Sequence, residues 1–231
     1  MQRDELARHP RAVQAAGVAE CPEHAAQAHP GDRGAAAVSD GERLRLFFGV
    51  PLDKTLRDAA CDLQDALERA CSRGPRVKWV ERPNLHLTLK FVGDTPAEKL
   101  DEIIEIADEA AGECAPCRLD LRGAGCFPPR GAPRTLWMGL REECPELTEL
   151  AYALGSRLVK AGLAEAERHP FTAHFTLGRV KERGGGRNLR DAIEELSEAP
   201  VGQMNVDRFC LLSSDLTPQG PVYTERAEFR L

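Results

Sequence analysis

The chain has 231 residues, which is enough for one large domain or for two small lobes that share a core. Its 42% hydrophobic and 29% charged residues are typical of a soluble globular protein, and no apolar run approaches the roughly 20 residues of a membrane span. The net charge of −6 argues against a protein that wraps duplex nucleic acid, although it allows a small pocket for one phosphate.

Residues 1–40 are rich in Ala, Arg, Gly, Pro and His and contain few large aliphatic residues. Such a segment buries too little apolar surface to offset the conformational entropy that it would lose on folding. We therefore expect a disordered or poorly ordered tail over residues 1–40 and a single folded domain over residues 41–231. The opening letters MQRDELARHP lack the apolar core of a secretory signal, which favours a cytoplasmic protein.

The first predicted elements of the domain are a strand, a helix and two further strands. The letters RLRLFFGVPL from Arg43 predict a strand that Pro51 closes. Asp53 is placed to cap a helix whose apolar residues fall at helical spacing and which ends near Gly74. A short strand, VKWV, then precedes the strand that begins at His86.

The middle and the end of the domain continue this mixture of helices and strands. The letters TPAE at residues 95–98 predict a capping box that opens a helix. Strands are predicted at 117–122 and 134–140, on either side of the Gly/Pro-rich loop GAGCFPPRGAP, and an amphipathic helix is predicted at 145–161. A second strand containing a histidine follows, and a final pair of strands is joined by the turn TPQG.

Eight cysteines are scattered through the chain without regular spacing. The letters CAPC at residues 114–117 have the spacing of half a zinc site or of a redox pair. The sequence contains no second such pair, and no histidine lies nearby to complete a tetrahedral site. We expect free thiols, and no metal, at these cysteines.

Two predicted strands carry nearly the same letters, HLTLKF at residues 86–91 and HFTLGR at residues 174–179. Aligned on the histidine, the two segments share a threonine at +2, a leucine at +3 and a valine at +6. The matching pairs are His86 and His174, Thr88 and Thr176, Leu89 and Leu177, and Val92 and Val180. A duplicated lobe with one motif in each copy accounts for the repetition.

Side chains alternate along a strand, so His86 and Thr88 share one face while Leu87 and Leu89 share the other. We expect the leucines in the core and the polar pair in a groove. Of two imidazoles near neutrality, one can take a proton from water while the other donates a proton to a leaving oxygen. Threonine hydroxyls can bind the oxygens of a phosphate between them. A cyclic phosphodiester suits this set, because ring opening expels an alkoxide that needs a proton.

Two other interpretations of the paired motifs stay open. A dinuclear metal site would use the histidines as ligands, but such sites usually add Asp or Glu, and both predicted groove faces offer threonine instead. A binding module would keep the groove without any turnover. The intact pair of histidines favours acid–base catalysis without a metal.

Around these motifs the chain resembles the 2H phosphoesterase superfamily, which is named for its two His-x-Thr-x motifs. It is more closely similar to the bacterial and archaeal RNA 2′,3′-cyclic phosphodiesterases, also known as 2′-5′ RNA ligases. The similarity covers about residues 43–231. The segments that carry it are RLFFGVPL, VKWVERPNLHLTLKFVGD, GCFPPRGAPRTLWMGL and LLSSDLTPQGPVYTERAEF.

The resemblance implies an α+β, two-lobed and pseudo-symmetric fold, in which two antiparallel sheets flank a central cleft and the helices lie outside. It implies an enzyme that opens a 2′,3′-cyclic phosphate at an RNA end to leave a 2′-phosphate. His86 would be the proton donor to the leaving oxygen, and His174 would be the proton acceptor that activates water. Thr88 and Thr176 would bind the phosphate.

Further expectations rest on the same resemblance. Arg134 and Arg179 are candidates for additional positive charge in the cleft, the alternative being solvated arginines at strand ends. Phe47 or Phe48 would stack on a base, and at least one of the two is expected in the core. The expected partner is RNA with a 2′,3′-cyclic phosphate end, with no cofactor, no metal and no membrane, and nothing in the sequence demands more than a monomer.

One position departs from the family pattern. The family usually has proline immediately before the second motif histidine, whereas Ala173 stands there in this chain. This predicts an altered loop at the entry to the strand, while the motif itself is intact. Within the family, a small cyclic nucleotide or a 2′-5′ oligonucleotide is the alternative substrate, and a non-catalytic RNA-end-binding module is the alternative function.

Overall fold

A computed structural model describes residues 41–70, 74–182, 186–218 and 220–231, so the predicted tail over residues 1–40 lies outside the described residues. The strands are β1 (Arg43–Pro51), β2 (Val77–Trp79), β3 (His86–Pro96), β4 (Cys117–Phe127), β5 (Thr135–Leu140), β6 (Phe175–Val180), β7 (Pro200–Val206), β8 (Arg208–Leu216) and β9 (Pro221–Arg230). The α-helices are α1 (Arg57–Ala70), α2 (Leu100–Ala111), α3 (Pro145–Lys160) and α4 (Gly186–Glu195). Short 3-10 helices lie at Lys54–Leu56, Arg82–Asn84 and Ala97–Lys99.

The strands form one antiparallel sheet in the order β7-β4-β5-β6-β3-β1-β8-β9, and β2 pairs with β6 beside this path. The two strands that follow the motif histidines, β3 and β6, are therefore central neighbours. The register between them contains one residue pair, Leu87 opposite Phe175. The sheet thus consists of a first half-sheet (β3, β1, β8 and β9) and a second half-sheet (β6, β5, β4 and β7). The two half-sheets correspond to the two predicted antiparallel sheets, which this residue pair joins into one, and the α+β fold is confirmed.

The helices cover the apolar face of this sheet. Helix α3 packs on β3 and α2 packs on α3 and β9, so this pair covers the first half-sheet. Helices α1 and α4 pack together and cover β6, β7 and β4 of the second half-sheet. Motif residues that were predicted to face the core are buried there, at exposed fractions of 0% for Leu87, Phe175 and Leu177. Among the described residues, no helix has the length and apolar character needed to cross a bilayer.

The predicted capping box at residues 95–98 is wrong. Strand β3 continues through Pro96, Thr95 pairs with Leu44 of β1, and the Thr95 hydroxyl donates a hydrogen bond to the Gly93 carbonyl at 3.2 Å. Helix α2 begins only at Leu100, after a 3-10 turn, and has no side-chain cap. The long-range ladder between β1 and β3 therefore overrides the local capping signal.

The loop predicted from Gly123 onwards is also shorter than expected, because β4 continues to Phe127. The strand passes through a register shift at Gly123, where φ is +64°. A Cβ on this residue would lie 1.7 Å from the backbone oxygen of Ser197. Only glycine allows both the backbone conformation and the close approach, so the glycine marks a bulge within a strand rather than the end of it.

Candidate active site

The two motif strands contain the same irregularity directly after the motif threonine. In β3, Leu89 is an extra residue between Thr88 and Lys90, whose partners on β1 are consecutive. In β6, Leu177 is an extra residue between Thr176 and Gly178, whose partners on β5 are consecutive. The leucine at +3 of each motif is therefore a β-bulge.

Each bulge changes which side chains face the cleft. Without it, strict alternation would put the residue at +5 on the core face. With it, Phe91 lies opposite Phe47, two residues along β1 from the partner of Thr88. Arg179 likewise lies opposite Thr135, two residues along β5 from the partner of Thr176. The residue at +5 thus returns to the cleft face in both motifs, as Phe91 in one and Arg179 in the other.

His86 is held by its backbone neighbour and by two aromatic rings. Its Nδ1 lies 2.7 Å from the carbonyl oxygen of Asn84. The imidazole centroid is 4.9 Å from that of Phe47 and 5.2 Å from that of Tyr223, which meets it edge-on at 90°. A Cβ on Gly49 would lie 3.3 Å from His86 Cδ2, so the missing side chain makes room for the imidazole.

His174 is held in the corresponding way. Its Nδ1 lies 2.7 Å from the carbonyl oxygen of Thr172. Its imidazole packs edge-on against Phe127 at 5.0 Å between centroids and lies 6.4 Å from the indole of Trp137. That indole lies flat on Gly125, where a Cβ would be 2.1 Å from Trp137 Cη2. The glycine therefore lets Trp137 reach the second motif.

The two Nδ1 contacts determine which nitrogen can exchange a proton. A carbonyl oxygen only accepts a hydrogen bond, so Nδ1 is the donor in both histidines. The Nε2 atoms can then gain or lose a proton while the hydrogen bonds of Nδ1 stay in place. The bond to the carbonyl at −2 is the same in both histidines, although Leu85 precedes one and Ala173 precedes the other.

Burial lowers the pKa values of both histidines. The pKa of His86 is lowered to about 4, mainly because the imidazole loses water among the aromatic rings. The positive charges of His174 and Arg179 lower this pKa further, whereas the hydrogen bond to Asn84 raises it. Desolvation is also the main reason that the pKa of His174 is lowered; Thr172 opposes this and Arg179 adds to it. Both imidazoles are therefore neutral near pH 7, and Arg179 acts on both.

Thr88 and Thr176 are half-buried on the same face as the histidines. In an antiparallel pair, the residue after one partner lies opposite the residue before the other partner. With Leu87 opposite Phe175, Thr88 is on the side of His174, and Thr176 is on the side of His86. The structure therefore brings both histidines, both threonines and Arg179 to one place.

Arg134 occupies a different position from Arg179. It precedes β5 and is exposed. Its backbone N–H donates to the Phe127 carbonyl at 2.7 Å, and its carbonyl accepts from Val180 N–H at 2.8 Å. These bonds hold the beginning of β5 between its two neighbouring strands, so the backbone of Arg134 contributes to the frame around His174.

Helix α4 holds the loop that follows Phe127. The guanidinium of Arg190 donates to the carbonyls of Gly131 at 2.7 Å, Pro129 at 2.9 Å and Pro128 at 3.2 Å. The loop predicted as a simple connection is thereby fixed to the body of the second half-sheet. This fixes the strand end that presents Phe127 to His174.

The aromatic residues around the histidines are what sequence reasoning missed. Phe48 is fully buried in the core, as was predicted for one of the two phenylalanines, while Phe47 packs against His86. Phe127, Trp137 and Tyr223 carried no predicted role. The alternation of LWM in β5, where Leu136 and Met138 are buried, was a usable signal that Trp137 leaves the core, but the sheet order was needed to bring this ring to a histidine.

Side chains of the types that can ligate a metal cluster at another place on the first half-sheet. Cys210, Glu225 and Glu228 approach one another closely enough to share an ion. The Cys210 thiol donates to Glu225 at 3.4 Å, and burial raises its pKa to about 12, so the protonated thiol is a poor ligand. Burial likewise raises the pKa of the Cys117 thiol to about 12, and Cys114 and Cys117 are both free.

Comparison with known proteins identifies the family. The family model of the 2′-5′ RNA ligase superfamily matches residues 56–218. An RNA 2′,3′-cyclic phosphodiesterase of Methanothermobacter thermautotrophicus is 39% identical over 82% of this chain and 100% of its own length, and one of Archaeoglobus fulgidus is 36% identical over 80% and 99%. The crystal structure of TT0787 of Thermus thermophilus superposes with a TM-score of 0.67 at 31% identity, covering 81% of this chain and 98% of that one. With matches of this extent, the chain belongs to the 2′-5′ RNA ligase superfamily, the family of two-histidine phosphoesterases that its motifs resemble.

Proposed function

We propose that this protein hydrolyses the 2′,3′-cyclic phosphate at an RNA end to a 2′-phosphomonoester. The observation that carries the proposal is the pair of histidines on one cleft face, each with Nδ1 bound to a carbonyl and Nε2 left for proton transfer. The family relatives that carry the name RNA 2′,3′-cyclic phosphodiesterase support the same reaction.

In the proposed reaction, His174 Nε2 accepts a proton from water while the water oxygen attacks phosphorus. The bond between phosphorus and O3′ breaks, and His86 Nε2 donates its proton to O3′. The 2′-phosphomonoester and the free 3′-hydroxyl together contain the added water. The protonated His174 and the neutral His86 then exchange protons with solvent to begin another cycle, and no step needs a metal.

The neighbouring polar groups would act on the phosphate itself. Thr88 and Thr176 hydroxyls would donate hydrogen bonds to its non-bridging oxygens, and Arg179 would offset the charge that builds up as water attacks. The bound anion would also raise the pKa values of both imidazoles, because it offsets the charge repulsion and the desolvation that lower them. The reaction requires His86 protonated while His174 stays neutral, so the bound phosphate must raise the pKa of His86 more than that of His174.

The direct test is an assay with a short RNA that ends in a 2′,3′-cyclic phosphate, in the presence of EDTA. We expect conversion to the 2′-phosphate, identified by its resistance to a 3′-phosphatase. Parallel reactions with a 3′,5′-cyclic nucleotide and a 2′-5′ oligonucleotide should be slower. Failure to open the RNA cyclic phosphate while the protein remains folded would refute the proposal, and faster turnover of either competitor would reassign the substrate.

The roles of the two histidines can be separated with the leaving group. Each of His86→Ala and His174→Ala should lower turnover by about 10²–10⁴-fold, the usual contribution of a general acid or base. In a substrate whose 3′ oxygen is replaced by sulfur, the leaving thiolate needs no proton. We expect His86→Ala to recover most of its activity on this substrate and His174→Ala to recover none. Recovery of His174→Ala alone would reverse the assignment.

A further inference from the structure

Strand β6 carries positive charge directly beyond the second motif. On its cleft face His174 and Thr176 are followed by Arg179, because of the bulge at Leu177. Lys181 comes directly after the strand, is exposed, and by alternation from Arg179 lies on the same face. Along the cleft the side chains are thus histidine, threonine, arginine and lysine, so two cations extend away from the proposed phosphate site.

Strand β2 adds two more cations beside these. It pairs with the edge of β6 that β3 leaves after a single residue pair, so β2 lies where the two half-sheets diverge. Lys78 is opposite Arg179 in this ladder. The ladder continues for one more pair, in which Lys181 N–H donates to the Arg76 carbonyl at 2.8 Å. Two rows of opposed cations therefore follow one another along β6.

The residues on either side of Lys78 show which face it occupies. A Cβ on Gly178 would lie 2.8 Å from Val77 Cγ1 and 2.8 Å from Trp79 Cε3, so both side chains lie on the same face of β2. Trp79 Nε1 donates to Glu68 of α1 at 3.1 Å, which makes this the helix side of the sheet. Side chains alternate along a strand, so Lys78 points into the cleft.

The four side chains Arg76, Lys78, Arg179 and Lys181 form what we call the basic track. Directly opposed residues of an antiparallel pair have Cβ atoms about 4.5–5.5 Å apart, and like charges at this separation are destabilising. Within the described part of the chain, none of the four forms an ion pair with an acidic side chain, although the net charge of the protein is −6. An anionic ligand along the track would offset this repulsion.

We propose that the basic track binds the phosphodiester backbone upstream of the terminal nucleotide. This inference rests on the proposed function and specifies its substrate as an RNA strand rather than a free cyclic nucleotide. The cyclic phosphate lies at the two histidines, and the strand leaves past Lys78 and then between Arg76 and Lys181. Contacts of Lys and Arg to phosphates carry no sequence information, so the track selects for chain length and discriminates little between bases.

The test compares a 2′,3′-cyclic mononucleotide with a short RNA that ends in the same nucleotide and cyclic phosphate, under EDTA and at several salt concentrations. The proteins are wild type, Lys78→Gln and the triple variant Arg76→Gln/Lys78→Gln/Lys181→Gln. The matched control is Lys160→Gln, which removes an exposed lysine of α3 on the opposite side of the sheet. Arg179 is kept in every protein because it also acts on the histidines.

Each phosphate contact to a single strand makes the affinity fall with about the 0.7 power of the salt concentration. For wild type, KM for the RNA should therefore rise with salt more steeply than KM for the mononucleotide. Lys78→Gln should lower this slope by about 0.7 and raise KM for the RNA roughly four-fold at about 0.15 M salt, and the triple variant should raise it roughly 50-fold. The kcat should be nearly unchanged, the melting temperature should not fall, and Lys160→Gln should change neither substrate.

Equal losses on both substrates would overturn the inference, since the cations would then act only through their field at the reacting phosphate. A salt slope for RNA that the triple variant leaves unchanged would overturn it as well, because the strand would then leave the cleft by another path. Equal kcat/KM of wild type for the mononucleotide and the RNA would refute the track alone. If wild type fails to open the RNA, the proposed function fails first, so the two failures are distinguishable.

Discussion

The protonation of the two histidines is determined by the same rings that position them. Phe47 and Tyr223 enclose His86, and Phe127 and Trp137 enclose His174. This enclosure removes water from the imidazoles and disfavours their charged forms. A site of this kind favours an anionic ligand, because such a ligand would place a counter-charge beside an imidazolium.

The lowered pKa of His86 predicts how stability depends on pH. Its folded value of about 4 lies below the ordinary 6.5, so between these two pH values the unfolded chain binds a proton there and the folded protein does not. The free energy of unfolding should therefore decrease as the pH falls through this window. Denaturant unfolding at pH 7 and pH 4.5 should show that His86→Asn removes roughly 2 kcal/mol of this decrease.

His174→Asn should reduce the same decrease, since the pKa of His174 is also lowered by burial. Above pH 6.5 each histidine is neutral in the folded and in the unfolded protein, so neither contributes to the pH dependence of stability there. The comparison at pH 7 therefore measures only the packing that each substitution removes. Parallel pH profiles for wild type and both variants would show that the buried imidazoles do not control acid stability.

At the scale of strands, regular alternation was enough to predict the faces of His86, Thr88, His174 and Thr176. It could not predict that Phe91 would face the cleft, because a bulge depends on the register with the neighbouring strand. The leucine at +3 was visible in both motifs as a repeated residue. Its role as the extra residue in each ladder became apparent only from the pairing partners on β1 and β5.

The bulge in β6 is held from the helix side by Gln64. This side chain is 7% exposed, and its Nε2 donates to the carbonyl of Leu177 at 2.8 Å and to that of Val80 at 2.9 Å. The Leu177 carbonyl also accepts from Val80 N–H at 2.9 Å. The extra residue of the bulge thus has its carbonyl satisfied by α1 and by the end of β2, which keeps Thr176 and Arg179 on one face.

Gln64→Met keeps the length of this side chain and removes its two donors. We expect a loss of about 1–3 kcal/mol in the free energy of unfolding, because the Val80 carbonyl loses this donor, while the Leu177 carbonyl keeps its bond to Val80 N–H. We also expect a higher KM for the cyclic-phosphate RNA, because Thr176 and Arg179 would shift. Urea unfolding and steady-state kinetics measure both effects, with Gln203→Met, at an exposed position of β7, as the control. A stability loss with unchanged KM would restrict Gln64 to a structural role.

At the scale of the whole molecule, the repeated motif predicted two lobes but not their composition. Each half-sheet takes one motif strand, yet β8 and β9 from the end of the chain return to β1 and complete the first half-sheet. Helix α1, which follows β1, packs on the second half-sheet. Elements from one part of the chain thus complete the other half-sheet. Their positions depend on contacts between residues far apart in sequence, about which local patterns carry little information.

Residues 1–40 are predicted to be dispensable, because their composition offers no apolar core and the family resemblance does not reach them. A chain beginning at Asp40 should retain the kcat and KM of the full chain on the cyclic-phosphate RNA. Its melting temperature should also be unchanged within error. A loss of several degrees would show that the segment packs on the domain, and a higher KM would show that it contacts RNA.

The two half-sheets are also linked on the helix side, by Lys90 of the first motif strand. Its side chain is 3% exposed, and Nζ lies 2.7 Å from the Glu165 carbonyl oxygen and 2.6 Å from Glu167 Oε1. These acceptors belong to the segment between α3 and β6, which continues to the Thr172 carbonyl and His174. A residue of the first half-sheet therefore holds the approach to the catalytic histidine proposed for the second.

Lys90→Met should release this segment without emptying the space that the lysine stem fills. We expect about 1–3 kcal/mol of lost stability from the two hydrogen bonds of the buried ammonium group. We also expect faster hydrogen exchange between residues 163 and 172 and a lower kcat at nearly unchanged KM, because His174 loses its fixed orientation. The matched control is Lys99→Met, which removes an exposed pair with Glu102 at 2.9 Å and should cost at most about 0.5 kcal/mol. If kcat is unchanged while hydrogen exchange accelerates, the orientation of His174 does not depend on the first half-sheet, and the two halves contribute to the site independently.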